Sequence, residues 1–393
     1  MSEVGGVSAN ETRELLRDLV AIRSENPPGN ETAVARYLAD RLSPYRFECA
    51  IHEAEPERGS LVARLPGRGT GPSLAFNGHL DTGPIGDGWT RDPLGGEVVA
   101  GRLYGRGAGD MKGGLAAMTA AAIAVARDGV APPGDIVLLP TADESSGSRL
   151  GMGHLVRSGL VPKIDMAIVC EPSFGTVTIA QGGVVWIDVD VVGKSGQAAR
   201  PKSGINAISV MTRVLSALDD ELPALRAGTR HPLVPSIPIN VGTITGGVKA
   251  NVIAERCRVR IDRRLVPGES AADALRQVEG IARRVADGYG ATVSVEAAMT
   301  VEAAEVAPDS PVVAACRRAF QAVVGRDVSL RGTAGFTDTR WFVRDLATPA
   351  CVFGPWYLTL PQGSISDIPD ESVPLDEVVI GARVYAQMMR AGR

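Results

Sequence analysis

Short apolar segments alternate with longer helical ones through the first 180 residues, and this alternation limits the folds open to the chain. Segments typical of strands lie at residues 47–51, 61–65, 74–76, 135–140 and 166–169. Segments typical of helices lie at residues 12–22, 31–42, 114–127 and 150–158, with Asn10 as the expected cap of the first. Strands that alternate with helices favour an α/β fold, a mostly parallel sheet sandwiched by helices.

The pattern changes from about Gln181 onward. Strand-like and helical segments now follow in the order βαββαβ, at residues 184–191, 205–222, 237–245, 257–262, 271–289 and 291–296. This order is typical of a ferredoxin-like α+β unit. Segments at residues 311–324, 350–353 and 375–389 then return to the first pattern. We therefore predict a catalytic domain made of residues 1–180 and 298–393, interrupted by an inserted domain at residues 181–297.

Charge and cysteine content exclude several classes of protein. There are 41 basic and 45 acidic residues, a formal charge of −4, so nucleic-acid binding has no electrostatic support. The five cysteines are scattered, which favours a reducing, cytoplasmic compartment without structural disulfides. Residues 1–14 are polar and do not resemble a signal peptide, and the longest apolar stretch, residues 115–126, is too short to span a bilayer. We expect no membrane partner.

Two short loops contain the residue types that a metal site needs. Gly78-His79-Leu80-Asp81 follows an apolar strand, and on an extended chain His79 and Asp81 face the same way. This spacing suits a ligand imidazole supported by a nearby carboxylate. The second loop places Asp110 among glycines just before an alanine-rich helix, where a carboxylate meets little steric opposition to binding a metal.

Further carboxylates stand just beyond other predicted strands. Asp143 and Glu144 follow the strand at residues 135–140, and Glu171 follows the strand at residues 166–169. Because sites in open α/β sheets form outside the carboxyl ends of the strands, we expect these side chains to converge with His79 and Asp110. The sequence therefore predicts a site that combines one histidine with several carboxylates.

The chain resembles the zinc metallopeptidase family of acetylornithine deacetylase, succinyl-diaminopimelate desuccinylase, aminoacylase and carboxypeptidase G. The matching motifs extend over nearly the whole chain and include Gly78-His79-Leu80-Asp81, Gly105-Arg106-Gly107, Thr141 to Gly147, Gly193-Lys194-Ser195, Gly204-Ile205-Asn206-Ala207 and Phe353-Gly354-Pro355. The resemblance implies a zinc-hydrolase α/β domain with an inserted lid that usually dimerises. It also implies a homodimer formed through that lid.

The resemblance further assigns roles within the site. It implies that His79, Asp110 and Glu171 hold one divalent metal, most simply zinc, with manganese or cobalt as alternatives. Asp110 would bridge to a second metal. Asp81 would orient His79, and Glu144 would be the general base.

Three positions depart from the family pattern. Ser145 stands where the family has a second glutamate, which binds the second metal. Asp367 stands where the family has a histidine near the C-terminus, and Gln197 replaces the histidine that a partner's lid supplies to polarise the substrate carbonyl. The first metal site keeps its ligands, whereas the second loses two and retains Asp367 as a possible oxygen ligand.

Other residues match positions that contact substrate in the family. Arg340, in the segment from Gly332 to Arg340, resembles the arginine that binds the substrate carboxylate, a task that suits a guanidinium. A structural ion pair with Asp338 or Asp345 is the alternative role for Arg340. Asn251, on the predicted lid, resembles a further residue that reaches the substrate, and Arg264 is another candidate for substrate binding.

Two functions are consistent with these motifs and departures. The first is a metal-dependent hydrolase that cleaves an N-acyl or amide bond of a small carboxylate-bearing substrate, using one intact metal site. The second is a family scaffold used for non-hydrolytic chemistry, as a lyase, isomerase or condensing enzyme, or as a catalytically silent binding protein. The hydrolase is the function we expect.

Overall fold

The computed structural model of the chain describes residues 6–355 and 368–391. The chain divides into two compact units. The first comprises Met1–Ile179, Val306–Arg331 and Thr337–Arg393, and the second comprises Ala180–Glu305 and Gly332–Phe336. Strand Thr292–Val301 continues through residue 297, where the sequence pattern had placed the end of the insertion. The second unit therefore extends further along the chain than expected.

Each of the eight segments that the sequence marks as helical contains a helix. Among the described residues the helices are α1 (Ala9–Ala21), α2 (Glu31–Leu42), α3 (Gly113–Arg127), α4 (Met152–Arg157), α5 (Ala207–Leu225), α6 (Ala271–Gly288), α7 (Pro311–Val324) and α8 (Leu375–Arg390). The cap of α1 is Ser8, whose side chain accepts a hydrogen bond from Glu11 N, and Asn10 lies inside the helix. The expectation that Asn10 caps this helix was therefore wrong. Within the described residues, no helix combines the length and the apolar character needed to cross a membrane.

Strands are more numerous than the sequence indicates, because several are only two to four residues long. They are β1 (Glu48–Glu53), β2 (Gly59–Leu65), β3 (Leu74–His79), β4 (Val98–Val99), β5 (Arg102–Tyr104), β6 (Ile136–Thr141), β7 (Met166–Val169), β8 (Val177–Gln181), β9 (Gly183–Val192), β10 (Gly196–Gln197), β11 (Asn240–Gly246), β12 (Val252–Ile253), β13 (Arg256–Leu265), β14 (Thr292–Val301), β15 (Ala304–Glu305), β16 (Leu330–Thr333), β17 (Ala350–Val352) and β18 (Ser372–Pro374).

The main sheet of the first unit has parallel strands at its centre, in the order β6, β3, β7, β17. Strands β2 and β1 continue it antiparallel beyond β6, and β8 pairs antiparallel with β17. In this register His79 of β3 lies opposite Thr141 of β6, and Asn77 lies opposite Val169 of β7. The loops that follow these three strands therefore emerge side by side at one edge, as the expected α/β fold requires.

Helices cover both faces of this sheet, which explains why β3 and β6 are buried along their whole length. On one face Ala75 packs in a cluster with Met152 and Phe342. On the other, the Phe76 ring lies 5.3 Å from that of Tyr385 on α8. The sheet is therefore a rigid support for the residues at its edge.

The second unit is built on a four-stranded antiparallel sheet in the order β11, β13, β9, β14. Buried residues alternate along β13, as expected for a sheet that is covered on one face. Helices α5 and α6 supply that cover, and Val189 packs in one core with Val214 of α5 and Val278 of α6. The βαββαβ order and the antiparallel sheet are those of a ferredoxin-like unit.

Candidate metal centre

His79 ends strand β3 and places its ring at the carboxyl edge of the main sheet. Nδ1 lies 2.8 Å from the main-chain oxygen of Asp81, so we assign it as a donor, which directs Nε2 toward two carboxylates. Asp110 Oδ1 lies 3.0 Å and Glu171 Oε1 3.3 Å from Nε2. One ligand atom each from His79, Glu144 and Glu171 lies within 4.8 Å of the others. The structure thus brings together the four residues expected around a metal.

Negative charge is crowded around the imidazole. Burial, together with the charges of Asp110 and Asp338, raises the pKa of Glu171 to about 8. Burial and the Glu171 charge likewise raise the pKa of Glu144 well above its usual value. Burial alone would lower the pKa of His79, but the surrounding carboxylates raise it well above its ordinary value. An imidazole nitrogen and carboxylate oxygens are ligands that zinc takes, and a divalent cation would offset this repulsion, so the residues fit such an ion.

The Asp81 carboxylate is fully buried and holds the loop that carries Glu144. Its Oδ1 accepts from Glu144 N at 3.0 Å, and its Oδ2 accepts from Ser145 N at 3.2 Å and Ser145 Oγ at 2.6 Å. Asn26 Nδ2 also donates to Oδ2, at 3.0 Å. Burial would raise the pKa of Asp81, but His79, Ser145 and Asn26 together lower it below its usual range. Asp81 Oδ1 is 3.5 Å from His79 Nδ1, beyond good hydrogen-bond distance, so its main contacts are with the Glu144 loop.

The loop that carries Asp110 is held by one buried carboxylate, that of Glu371. Glu371 Oε1 accepts from Gly109 N at 3.0 Å and Asp110 N at 3.1 Å. Its Oε2 accepts from Gly107 N and from the Arg106 guanidinium, both at 3.0 Å. Four donors therefore converge on Glu371, and they fix the backbone from which Asp110 projects.

Asp143, the residue before Glu144, is held in place by Arg58. Asp143 adopts a left-handed conformation with φ of 66°, and its Oδ1 accepts from Arg58 at 3.1 Å. Arg58 also binds the buried carboxylate of Glu31 through two hydrogen bonds of 2.7 and 2.8 Å. These bonds stabilise a strained backbone conformation next to the expected base.

Sequence reasoning missed Glu371, Arg58 and Glu31. Glu371 stands in Pro369-Asp370-Glu371, a segment used only to locate the neighbouring Asp367. Its acidic character within that motif was the available signal. Arg58 lies between two predicted strands and Glu31 begins a predicted helix. Neither carries a local signal for this contact, because their partner Asp143 is 85 and 112 residues away along the chain.

Arg340 lies in the first unit, close enough to Glu144 for their charges to interact. Its guanidinium donates to the Gly147 carbonyl at 2.9 Å and lies 3.9 Å from the centre of the Trp341 ring. Burial lowers the pKa of Arg340, although the Asp338 and Glu144 charges act in the opposite direction. The Asp338 carboxylate is itself bonded to Ser148 and to Thr141.

The remaining predicted substrate residues lie in the second unit. Gln197 pairs with Val252 in a short antiparallel ladder, and Ala198 N donates to the carbonyl of Asn251 at 3.2 Å, so Gln197 and Asn251 are neighbours. Arg264 forms an ion pair with Asp262 at 2.8 Å. Asp367, the remaining candidate metal ligand, lies outside the described residues.

The fold and the cluster of histidine and carboxylates define a metal-dependent hydrolase. A family model described as peptidase family M20/M25/M40 matches residues 75–391, which is most of the chain. The protein therefore belongs to this family, whose metallopeptidases use divalent metal ions. This confirms the family expected from the motifs and the expected class, an enzyme that hydrolyses amide bonds.

Two curated relatives show which members of the family the chain is similar to. A succinyl-diaminopimelate desuccinylase from Roseobacter denitrificans is 30% identical over 386 residues, which cover 95% of this chain and 97% of the relative. An acetylornithine deacetylase from Vibrio cholerae is 35% identical over 261 residues, which cover 64% and 67% of the two chains. Both relatives are named for the removal of an acyl group, which gives no support to the non-hydrolytic alternative.

Solved structures agree on the fold. An M20 family metallo-carboxypeptidase from Sulfolobus solfataricus superposes with a TM-score of 0.78 at 16% identity, covering 97% of this chain and 99% of its own. At this identity the likeness concerns the architecture alone.

Proposed function

We propose that this protein removes an acyl group from the nitrogen of a small carboxylate-bearing substrate, using one divalent metal ion. The observation that carries the proposal is the convergence of Asp110 and Glu171 on His79 Nε2, with Glu144 beside them. His79, Asp110 and Glu171 would hold the ion, for which we propose zinc, with manganese and cobalt as alternatives.

Glu144 is proposed as the general base. Its carboxylate lies next to the candidate ligands, and burial together with the surrounding negative charge raises its pKa, which favours acceptance of a proton from water. The same group then donates that proton to the leaving amine. A divalent ion, when bound, supplies Lewis acidity that brings the pKa of water toward neutrality and polarises a carbonyl. Asp81 keeps Glu144 in place through the Glu144 N–H.

We propose one ion rather than two because of the residues at the second site. Ser145 offers a neutral hydroxyl where the family has a glutamate, and Asp367 offers a carboxylate where it has a histidine. A neutral oxygen binds zinc more weakly than a carboxylate or imidazole does. We therefore expect a stoichiometry near one zinc per chain after reconstitution and desalting, measured by elemental mass spectrometry.

Arg340 is proposed to bind the substrate carboxylate, since its guanidinium lies near Glu144 and is held in place by Gly147 and Trp341. Asn251, Gln197 and Arg264 are proposed as further substrate-binding residues of the second unit. Gln197 can donate a neutral N–H to an oxyanion, a weaker interaction than that of a charged imidazole.

The test is release of free amine from N-succinyl-L,L-diaminopimelate, N-acetyl-L-ornithine and a panel of other N-acyl amino acids. We expect turnover by the zinc-loaded protein and a loss of about 100- to 10,000-fold in kcat for Glu144→Gln, which keeps the shape of the side chain but removes the base. Glu97→Gln, a substitution of an exposed glutamate paired with Arg91, is the matched control. Protein that binds no zinc, manganese or cobalt, or that remains inert when loaded, would contradict the proposal.

We also propose a homodimer formed through the second unit and a cytoplasmic location. The edge strand β11 is exposed along its length, and apolar side chains project from it and from the turn after it. All five cysteines are free thiols, which suits a reducing compartment. Fractionation of cells expressing the tagged chain tests the location.

A further inference from the structure

The hydroxyl of Ser145 forms two hydrogen bonds, one as a donor and one as an acceptor. It donates to Asp81 Oδ2 at 2.6 Å, and its oxygen accepts from Asn26 Nδ2 at 3.2 Å. A hydroxyl has one proton and two lone pairs, so the proton and one lone pair are already used. A single neutral lone pair remains, which makes this side chain a poor ligand for a divalent ion.

The same hydroxyl stabilises a charge that lies away from water. Asp81 is fully buried, and a buried carboxylate must be surrounded by donors to stay ionised. Ser145 provides two of these donors, its Oγ and its N–H, Asn26 provides a third and Glu144 N a fourth. The backbone of Glu144 and the hydroxyl of Ser145 are therefore bonded to the same carboxylate.

We propose that Ser145 is a positioning residue, whose hydroxyl, together with Asn26, holds Asp81 and thereby fixes the backbone of Glu144. The inference rests on the proposed function, since it concerns the proposed base of that reaction. The Ser145 side chain then determines the position of Glu144 and does not bind the metal. This role exists only because a hydrogen-bond donor stands at this position, since an ionised glutamate cannot donate to Asp81.

The first test separates the hydroxyl from the rest of the side chain. We expect Ser145→Ala to lower kcat by about 10- to 100-fold with KM nearly unchanged, because one hydrogen bond to a charged group is lost. Ser145→Thr restores the hydroxyl and should recover most of the activity toward N-acetyl-L-ornithine or whichever N-acyl amino acid the wild type cleaves. Ser43→Ala is the control, since Ser43 is an exposed serine of the first unit whose hydroxyl donates to the Asp40 carbonyl at 3.3 Å.

A second test asks whether Ser145 and Asn26 act through the same carboxylate. Asn26→Ala should also lower kcat, and the double variant should lose less than the product of the two single effects. Zinc content should stay the same in all of these variants as in the wild type. A change in zinc stoichiometry in Ser145→Ala would show that the hydroxyl is a ligand and would overturn the inference.

A third measurement does not depend on activity. Amide hydrogen exchange of the peptide that spans residues 143–148 should be faster in Ser145→Ala than in the wild type, and near wild type in Ser145→Thr and Ser43→Ala. If exchange behaves this way while the wild type is inert on every substrate, the proposed function fails and the positioning role stands. Unchanged exchange and unchanged kcat in Ser145→Ala would overturn the positioning role while leaving the hydrolase intact.

Discussion

At the scale of single residues, the surroundings of Arg340 suit it to binding a carboxylate. The guanidinium lies over the Trp341 ring, 3.9 Å from its centre, and donates one hydrogen bond to the Gly147 carbonyl, so two contacts restrict its position. Asp338, which the sequence offered as a structural partner, instead bonds to Ser148 and Thr141. Arg340 is therefore better explained as a binding group than as half of an ion pair with Asp338.

Arg340→Lys tests this role. Lysine keeps the charge but loses the planar pair of donors, so we expect KM for a carboxylated substrate to rise about 10-fold or more, with little change in melting temperature. Arg157→Lys is the matched control, because Arg157 is exposed and lies 5.9 Å from the centre of the same Trp341 ring. A fall in melting temperature as large as the loss of binding would instead indicate a structural role.

At the scale of elements, the Asp110 loop depends on a segment far away in the sequence. Glu371 stands directly before β18 and accepts four hydrogen bonds, from the Arg106 guanidinium and from the N–H groups of Gly107, Gly109 and Asp110. A glycine-rich loop can adopt many conformations, so the hydrogen bonds to Glu371 are needed to keep Asp110 near His79.

Glu371→Gln should weaken the hydrogen bonds that hold the Asp110 loop. The amide nitrogen of glutamine cannot accept, so either the N–H groups of Gly109 and Asp110 or the Gly107 N–H and the Arg106 guanidinium lose their acceptor. We expect affinity for zinc to fall about 10- to 100-fold, as for other residues that orient metal ligands, measured by competition with a chelator. Glu97→Gln is the control for the loss of a charged glutamate elsewhere. Equal zinc affinity in both variants would contradict the role of Glu371 in holding the Asp110 loop.

Sequence patterns predicted well those helices and strands whose bounds depend on the apolar spacing within the segment itself. The helix at residues 31–42 and the strand at residues 166–169 have the expected bounds, because apolar spacing within a segment determines them. Strands β8 and β18 were missed because they are stabilised by pairing with strands that are distant along the chain. Asn10 was mistaken for a cap because Ser8, two residues earlier, also satisfies the helix N-terminus.

In the candidate site too, residues beside predicted elements were foreseen, whereas residues that act from far along the chain were not. His79, Asp110 and Glu171 were foreseen to converge because each stands beyond a strand or before a helix that the sequence reveals, and parallel strands end at a common edge. The residues that hold those groups were not foreseen. Asn26 acts on Asp81 across 55 residues and Glu371 on Asp110 across 261, so no local pattern connects them. Local patterns thus predicted which candidate ligands lie close together, and only the three-dimensional structure shows which residues hold them in place.

At the scale of the whole molecule, an exposed sheet edge in the second unit needs an explanation. Strand β11 pairs with β13 on one side, and no strand within residues 6–355 and 368–391 pairs with its other side. Val241, Ile244 and Val248 are exposed along this edge and the turn that follows it, and Ile208 of α5 is exposed nearby. Unpaired edges with apolar side chains tend to associate, and in a symmetric dimer the same strand of each copy can pair with the other.

Ile244→Glu tests whether β11 forms the dimer interface. A charge on an apolar edge would have to be buried without a partner, so we expect sedimentation velocity to give about twice 41.0 kDa for the wild type and about 41.0 kDa for the variant. Val130→Glu, which places the same charge on an exposed valine of the first unit, should leave the mass at the dimer value. A monomeric wild type, or a dimer that survives Ile244→Glu, would rule out pairing through this edge. Zinc content should be the same in the monomeric variant as in the wild type, because His79, Asp110 and Glu171 all belong to the first unit.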